Sequence, residues 1–424
     1  MNSTNIICDN LSLIDGFNDT INDTISNDEQ NNSNILKVNK VECKTNNLLT
    51  KSYKVVSYDK NMLSIDLINS HGLCRSIILN SDNKVVSFSP PKSIPSDVFI
   101  NIHYPKNKDI IIAQEFIEGT MINLFWDDTI GLSGDWEIST RNTVGATSCF
   151  YKSPNSKTFR QMFFEAIKEN NICFEHMNPC YSYSFVLQHP ENRIVVPFKK
   201  PQLYLVAVYH IDNSDRNNIC VYSMDMKEVK KFDWKNSTIK FPQIYEYEKY
   251  SDLIQQYASM NTPYYILGVV LFNSATGERA KIRNPVYEQV KNLRGNQPKL
   301  QYQYLSLRKE GKVGDCLKFY PENKKEFSTF RDQVHLFTNT LFANYVSCYI
   351  KKEKPLLEFS DQYRTHMFNI HQTYMNNLRE KKLFVTNTVV INYVNNLHPS
   401  LLMFCLNFQM RKRNVDYIAV ESTL

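Results

Sequence analysis

Near residue 295 the spacing of apolar residues in this 424-residue chain changes from a strand period to a helix period. A chain that makes this change once along its length folds as α+β, not as alternating βα units. Between about residues 51 and 290, runs rich in β-branched and aromatic residues are separated by turn residues, at 76–79, 84–88, 110–112, 121–126, 182–187, 193–196 and 203–209. They predict short strands in two antiparallel sheets. Phe159, Met162, Phe163, Ala166 and Ile167 share one face of a helix expected over 158–170. Beyond 295, Phe327, Phe330, Val334, Phe337, Leu341, Tyr345 and Cys348 recur at three- and four-residue steps. They predict a long amphipathic helix, with further helices over 362–377, 387–396 and 400–409.

Composition divides the chain further. Residues 1–50 hold twelve Asn and only three Lys against seven acidic residues, a composition that buries too little apolar surface to offset the entropy of ordering. A disordered arm is expected there, followed by a β-rich domain over 51–295 and a helical domain over 296–424. The arm carries net −4 of the chain's +6, which leaves +10 on the folded body. Such a body suits a polyanionic partner and equally an ordinary solvated surface.

Several classes are disfavoured. Eleven glycines, and neither a G-x-x-x-x-G-K-[ST] nor a G-x-G-x-x-G segment, argue against a glycine-rich phosphate cradle. No run of about 18 apolar residues marks a membrane span, and the first residues lack the pattern of a secretory signal. An intracellular protein of the host cytoplasm or a virion is therefore expected, not a secreted one. The ten cysteines form no C-x-x-C pair and are read as reduced packing thiols; the group Cys173, His176 and Cys180 lacks a fourth metal ligand.

Four segments, in order, are similar to those of the nucleotidyltransferase domain of bacteriophage-type ATP-dependent RNA ligases, a form also found in large DNA viruses. Cys74-Arg75-Ser76-Ile77-Ile78 through Ser87-Phe88-Ser89-Pro90-Pro91-Lys92 resembles the Arg-led strand pair ahead of the active site. Gln114-Glu115-Phe116-Ile117-Glu118-Gly119-Thr120 resembles the nucleophile motif K-x-D-G-S. Phe185 to Val195, containing Pro190-Glu191-Asn192-Arg193-Ile194-Val195, resembles the strand and Pro-x-Asn-Arg-Ile-Val segment. Leu267-Gly268-Val269-Val270 and Lys281-Ile282-Arg283-Asn284-Pro285 resemble E-G-x-V and K-x-K-x-P. The resemblance covers about residues 60–295 and implies an ATP-grasp-like domain of two antiparallel sheets. Such ligases keep a substrate-specifying domain where this chain has its helical region.

The resemblance also implies a chemistry that this chain departs from. Those ligases attack the α-phosphate of ATP with a lysine amine, assisted by a divalent cation. The aligned nucleophile is Phe116, and the two carboxylate positions are Val186 and Leu267. A phenyl ring has no nucleophilic lone pair, and hard cations take oxygen ligands. No catalytic residue and no metal ligand is therefore assigned, and Mg would enter only in an active protein.

What the resemblance retains is a nucleotide-binding set: Arg75, Glu118, Gly119, Arg141, Lys281 and Arg283. The expected protein is an RNA-ligase-like pseudoenzyme, viral in origin, that holds ATP non-covalently and takes RNA or single-stranded nucleic acid as partner. The residues taken alone leave other readings open. Glu118-Gly119-Thr120 also suits a β-turn, and Lys281 with Arg283 a solvated strand face. An active nucleotidyltransferase using a different lysine, with Lys92, Lys106 and Lys108 nearest, is one alternative function; a structural or interaction component of a viral particle is another.

Overall fold

The computed structural model describes residues 7–21, 35–44, 50–104, 110–150, 156–410 of the chain. The chain divides into two compact units, Met1–Gln289 and Val290–Leu424. Strands in the first unit are β1 (Ile7–Asn10), β2 (Leu36–Lys44), β3 (Thr50–Tyr58), β4 (Ile77–Leu79), β5 (Val85–Ser87), β6 (Ile111–Glu115), β7 (Thr120–Asp127), β8 (Asp135–Ser139), β9 (Tyr181–Gln188), β10 (Gln202–Asp212), β11 (Cys220–Ser223), β12 (Ile244–Tyr245), β13 (Gly268–Asn273) and β14 (Arg279–Arg283). They form a six-stranded sheet of order β1-β11-β10-β9-β7-β8, a four-stranded sheet β12-β6-β13-β14 and a second four-stranded sheet β2-β3-β4-β5. Every ladder is antiparallel. Antiparallel sheets followed by a helical region are the α+β class that the periodicity predicts, with a third sheet beyond the expected two.

Alternation of side chains divides the core between sheet faces, and the β2-β3-β4-β5 sheet is buried on both, with Val56, Ile77 and Leu79 on one face and Val55 and Ile78 on the other. Tyr183, Phe185 and Leu187 of β9 pack with Leu203 and Leu205 of β10 against the helix Phe159–Glu169, which buries Met162, Phe163 and Ala166. A capping box opens that helix: Thr158 Oγ1 accepts from Gln161 N, and Gln161 Oε1 accepts from Thr158 N. Ala113, Val269, Leu271, Ala280 and Ile282 pack the β6-β13-β14 sheet against Phe99, Tyr250 and Leu253.

Two expectations are corrected here. Residues 7–21 and 35–44 are not a disordered arm. β1 pairs with β11, Ile7 opposite Ser223, and Leu11, Ile14, Phe17 and Ile21 are buried beside Val56, Ile77, Phe88 and Val221. A polar average conceals four apolar residues at helical and turn spacing whose partners, Val56, Ile77, Phe88 and Val221, are distant in sequence; the remainder of 1–50 lies outside the described residues. Second, 193–196 is a loop, not a strand. Its amides at Val195 and Val196 donate to the Glu118 carboxylate instead of to a ladder.

The second unit holds helices Leu300–Lys309, Val313–Phe319, Lys324–Tyr345, Asp361–Thr373, Asn387–Asn396 and Pro399–Leu406. Val334, Phe337, Leu341, Met367, Ile370, Val390, Val394 and Leu402 form its interior. His366 belongs to that interior, facing the Tyr393 hydroxyl at 2.8 Å and Cys405 Sγ at 3.1 Å. Among the described residues no single helix is long and apolar enough to cross a membrane.

Candidate functional site

The segment aligned with the nucleophile motif is the connection between two sheets. β6 ends at Glu115 in the four-stranded sheet and β7 begins at Thr120 in the six-stranded one, so Phe116-Ile117-Glu118-Gly119 crosses from one to the other. Phe116 N donates to Gly268 O at 3.3 Å. Two glycines make the crossing possible. Gly119 has φ +150°, and a Cβ there would lie 2.4 Å from Leu187 O and 2.7 Å from Val186 Cγ1; Gly268 has φ +131°, and its Cβ would lie 2.0 Å from Ile282 O.

The Pro190-Glu191-Asn192-Arg193 segment clamps this turn. Asn192 Nδ2 donates to Thr120 Oγ1 at 2.7 Å, Gln188 Nε2 donates to Glu118 O at 3.0 Å, and the amides of Val195 and Val196 donate to Glu118 Oε1 at 2.9 and 3.0 Å. Burial raises the pKa of Glu118 while these amides oppose the rise. The carboxylate oxygens are thus occupied within the protein.

Phe116 lies under a cluster of cations. Arg279, Lys281 and Arg283 alternate along β14, so all three leave the face opposite the buried Ala280 and Ile282. Lys281 Nζ lies 5.0 Å from the Phe116 ring centroid, and the Arg283 guanidinium carbon 5.6 Å from it. Burial, followed by repulsion from Arg279, Arg75, Arg283 and Lys92, pushes the Lys281 pKa down to about 6. Burial and then Arg279 lower Arg75, with Arg141 adding to the effect, and burial lowers Arg279. Burial and then Arg75 lower Lys92. Arg141 itself lies 5.5 Å from the Tyr58 ring centroid.

Counter-charge is sparse. Arg283 pairs with Glu288 at 2.7 Å. Among the described residues, Arg75, Lys92, Arg141, Arg279 and Lys281 form no ion pair. Five buried polar atoms in the same segments have no hydrogen-bond partner among the described residues: Ser89 Oγ, Ser93 Oγ, Ser139 Oγ, Arg141 Nε and Arg279 Nε. Folded proteins leave few such atoms, so their concentration here is a demand for acceptors that the chain does not supply.

The two aligned carboxylate positions flank the same turn. Val186 touches the space beside Gly119, and Leu267 precedes Gly268 and accepts from Asn284 N at 3.0 Å. Both side chains are buried and apolar, and among the described residues no group of three or more His, Cys, Asp or Glu is placed to hold a metal ion. The residues present do not fit a carboxylate-held divalent cation. They fit a phosphate group, through Lys281, Arg75, Arg279 and the unpartnered hydroxyls.

Of the sequence-derived set, Arg75, Arg141, Lys281 and Arg283 are brought together with Phe116, whereas Glu118 and Gly119 build the turn beneath them. Arg279 was missed, although the every-second-residue cations of Arg279-Ala280-Lys281-Ile282-Arg283 carry its signal. Lys106 and Lys108 lie outside the described residues. A cavity of about 160 Å³ lined by Lys84, Trp126, Asp128, Cys180 and Asn213 shares no residue with the cluster.

The chain matches parts of two curated relatives. An "RNA ligase" of Rhodothermus phage RM378 is 29% identical over 105 residues, covering 23% of this chain and 23% of the relative. The chain is RNA-ligase-like. An "Immediate-early protein ICP-46 homolog" of Invertebrate iridescent virus 6 is 27% identical over 218 residues, 48% of this chain and 44% of the relative, so the RNA-ligase-like chain has viral homologues at a distance. Its match spans less than half the length of either relative. No family model matches the chain. Among solved structures, a mutant Naegleria gruberi RNA ligase with ATP and Mn aligns at TM-score 0.33 and 14% identity over 48% of this chain and 58% of that one. An archaeal ATP-dependent RNA ligase aligns at TM-score 0.33 and 11% identity over 88% and 75%.

Proposed function

We propose that this chain is a pseudo-nucleotidyltransferase of the RNA-ligase type, which binds the phosphates of a nucleotide such as ATP without forming a covalent adduct, and whose partner is a nucleic acid. One observation carries the reading. Arg75, Lys92, Arg141, Arg279 and Lys281 form a cation cluster without carboxylate partners that ends on the Phe116 ring, where the resembled ligases place their amine. Like charges held at short range repel more strongly where water is scarce, and a polyphosphate removes that repulsion while accepting from the free donors. In this arrangement lysine and arginine side chains provide the charge compensation that a cation provides elsewhere.

A second reading, transfer to a different lysine, is supported by Lys281. Its pKa near 6 leaves the amine largely neutral at pH 7, as a nucleophile requires. The first reading is favoured because Val186 and Leu267 provide no oxygen ligand beside that amine.

One experiment separates the two. The full chain is incubated with α-labelled ATP or GTP and Mg²⁺ or Mn²⁺, and binding is measured before and after denaturation. Saturable binding that disappears on denaturation is expected. A denaturation-resistant label on any lysine, Lys92 and Lys281 included, overturns the pseudoenzyme, and no binding of any nucleotide overturns the site.

A further inference from the structure

Two helices of the C-terminal unit end alike. Lys324–Tyr345 runs into a single π-turn, Val346–Ile350, closed by Lys351 N donating to Val346 O at 2.9 Å and followed by Lys352 at φ +55°. Asp361–Thr373 runs into a π-turn, Tyr374–Leu378, closed by Arg379 N donating to Tyr374 O at 2.9 Å and followed by Lys382 at φ +56°. The ring of Phe337 lies 5.3 Å from that of Tyr363, and Tyr345 lies 6.3 Å from His371. The helices therefore run side by side in one direction, and both π-turns lie at the same end.

Between the turns stands an aromatic ladder. Tyr349 and His371 stack at a centroid distance of 4.0 Å and an interplanar angle of 13°. Tyr374 continues on the His371 side at 5.8 Å and 28°, and Tyr345 supports Tyr349 from the interior at 5.2 Å. Tyr345 is buried, but Tyr349, His371 and Tyr374 are half-buried. Burial lowers the His371 pKa, so its ring is an uncharged π surface at neutral pH. The stacked faces are half-open, and single π-turns inside helices are frequent at functional positions.

Charge follows both turns along the chain. Lys351, Lys352, Arg379, Lys381 and Lys382 are exposed in the segments that leave the two turns, against the acids Glu353 and Glu380. Glu353 is held by Ser347 Oγ at 2.6 Å and Lys351 at 3.6 Å. Flat aromatic faces at turns followed by exposed cations match an unpaired base with its phosphate: every base has a π face to stack, and each phosphate takes a cation.

We propose that this end of the C-terminal unit is a stacking platform for single-stranded nucleic acid, on which bases extend the Tyr349–His371–Tyr374 ladder while the phosphates pass the flanking lysines. The class of partner rests on the reading above, but no residue of the Phe116 cluster takes part. A duplex, whose bases already stack on one another, has no free face to offer.

Anisotropy of labelled oligo(U) and oligo(A) strands with the full chain tests this. Y349A with Y374A weakens binding by about tenfold or more, while ATP binding is unchanged. Y349L with Y374L, which keeps apolar bulk, weakens strand binding similarly. K351Q with K381Q lowers the slope of log affinity against log salt by about 0.7 for each phosphate that no longer meets a lysine. The platform is overturned if the tyrosine variants bind strands within twofold of the wild type, or if duplex RNA or polyglutamate competes as well as the strand. If the wild type binds no strand while still binding ATP, the nucleic-acid element of the proposed function falls with it.

Discussion

Nζ of Lys281 lies 5.0 Å from the centre of the Phe116 ring, and the two residues reach this position from different strands of one sheet and its exit turn. The ring offers its negative face to a site crowded with positive charge, which moderates a repulsion that a carboxylate, Glu288, relieves at Arg283. It also fills the place of an amine. On the proposed reading, the same contact links the absence of a covalent step to the cation cluster around it.

Proton uptake should accompany nucleotide binding. The folded pKa of Lys281, about 6, is far below its ordinary value of 10.5, so between these limits the unfolded chain carries a proton that the folded one lacks. Stability of the free protein therefore rises with pH across this window. A bound polyphosphate returns the proton, and affinity should grow as pH falls from 8 towards 6. Calorimetry of ATP binding in buffers of different ionisation heat, at pH 7 to 8, reads the uptake directly; proton release, or none, contradicts the assignment.

Lys281→Met should separate stability from binding. Removing an amine that is buried and gives up its proton on folding beside Arg75, Arg279 and Arg283 relieves that cost, and a gain of about 1 kcal/mol raises Tm by roughly 2–4 °C in a unit of this size. ATP affinity should fall by about tenfold or more, since a charge-assisted contact contributes about 1.5–3 kcal/mol. A variant with a lower Tm and unchanged affinity would make Lys281 a structural residue.

Phe116→Lys alone should yield no adenylate. It adds an amine to an already cationic cluster and leaves no carboxylate to hold a cation, and catalytic groups that act as a unit are non-additive. Adding V186E and L267E places acids on both sides of the Gly119 and Gly268 turn; if that triple variant keeps a cooperative melt, cation-dependent label should appear. Label on Phe116→Lys by itself would show the missing carboxylates to be dispensable.

Gly268→Ala tests the crossing itself. Its Cβ would meet Ile282 O at 2.0 Å, a backbone atom that cannot turn aside, at φ +131°. A loss on the order of 3 kcal/mol in unfolding free energy, read from the denaturant midpoint, is expected. An unchanged midpoint would mean that the β13–β14 pairing at Arg283 is looser than the geometry here.

The N-terminal segment should behave as part of the first unit. Phe17 is fully buried among Leu11, Ile14 and Val221, and Phe17→Ala should cost about 3–5 kcal/mol. Removal of residues 1–21 should lower the thermal midpoint by many degrees. A truncated chain melting with the full one would restore the picture of a detached arm.

Local chemistry made much of this protein legible in advance. Strand and helix periods are written in the spacing of residues such as Phe185, Leu187, Val334 and Phe337, because each side chain chooses its face by position alone. The same holds for the missing amine and acids: Phe116, Val186 and Leu267 have no lone pair or charge to offer in any fold. Proximity was different. Arg75, Lys92 and Arg279 come from three separate segments, and only the tertiary packing buries Lys281 and brings their charges close enough to push its pKa down to about 6. Glu118, which by residue type suited a ligand, was committed to the amides of Val195 and Val196 by the packing of a loop more than seventy residues later. Ile7 likewise found its ladder opposite Ser223. Electrostatic and hydrogen-bond energies depend on distance in space, and distance in space is what the three sheets decided.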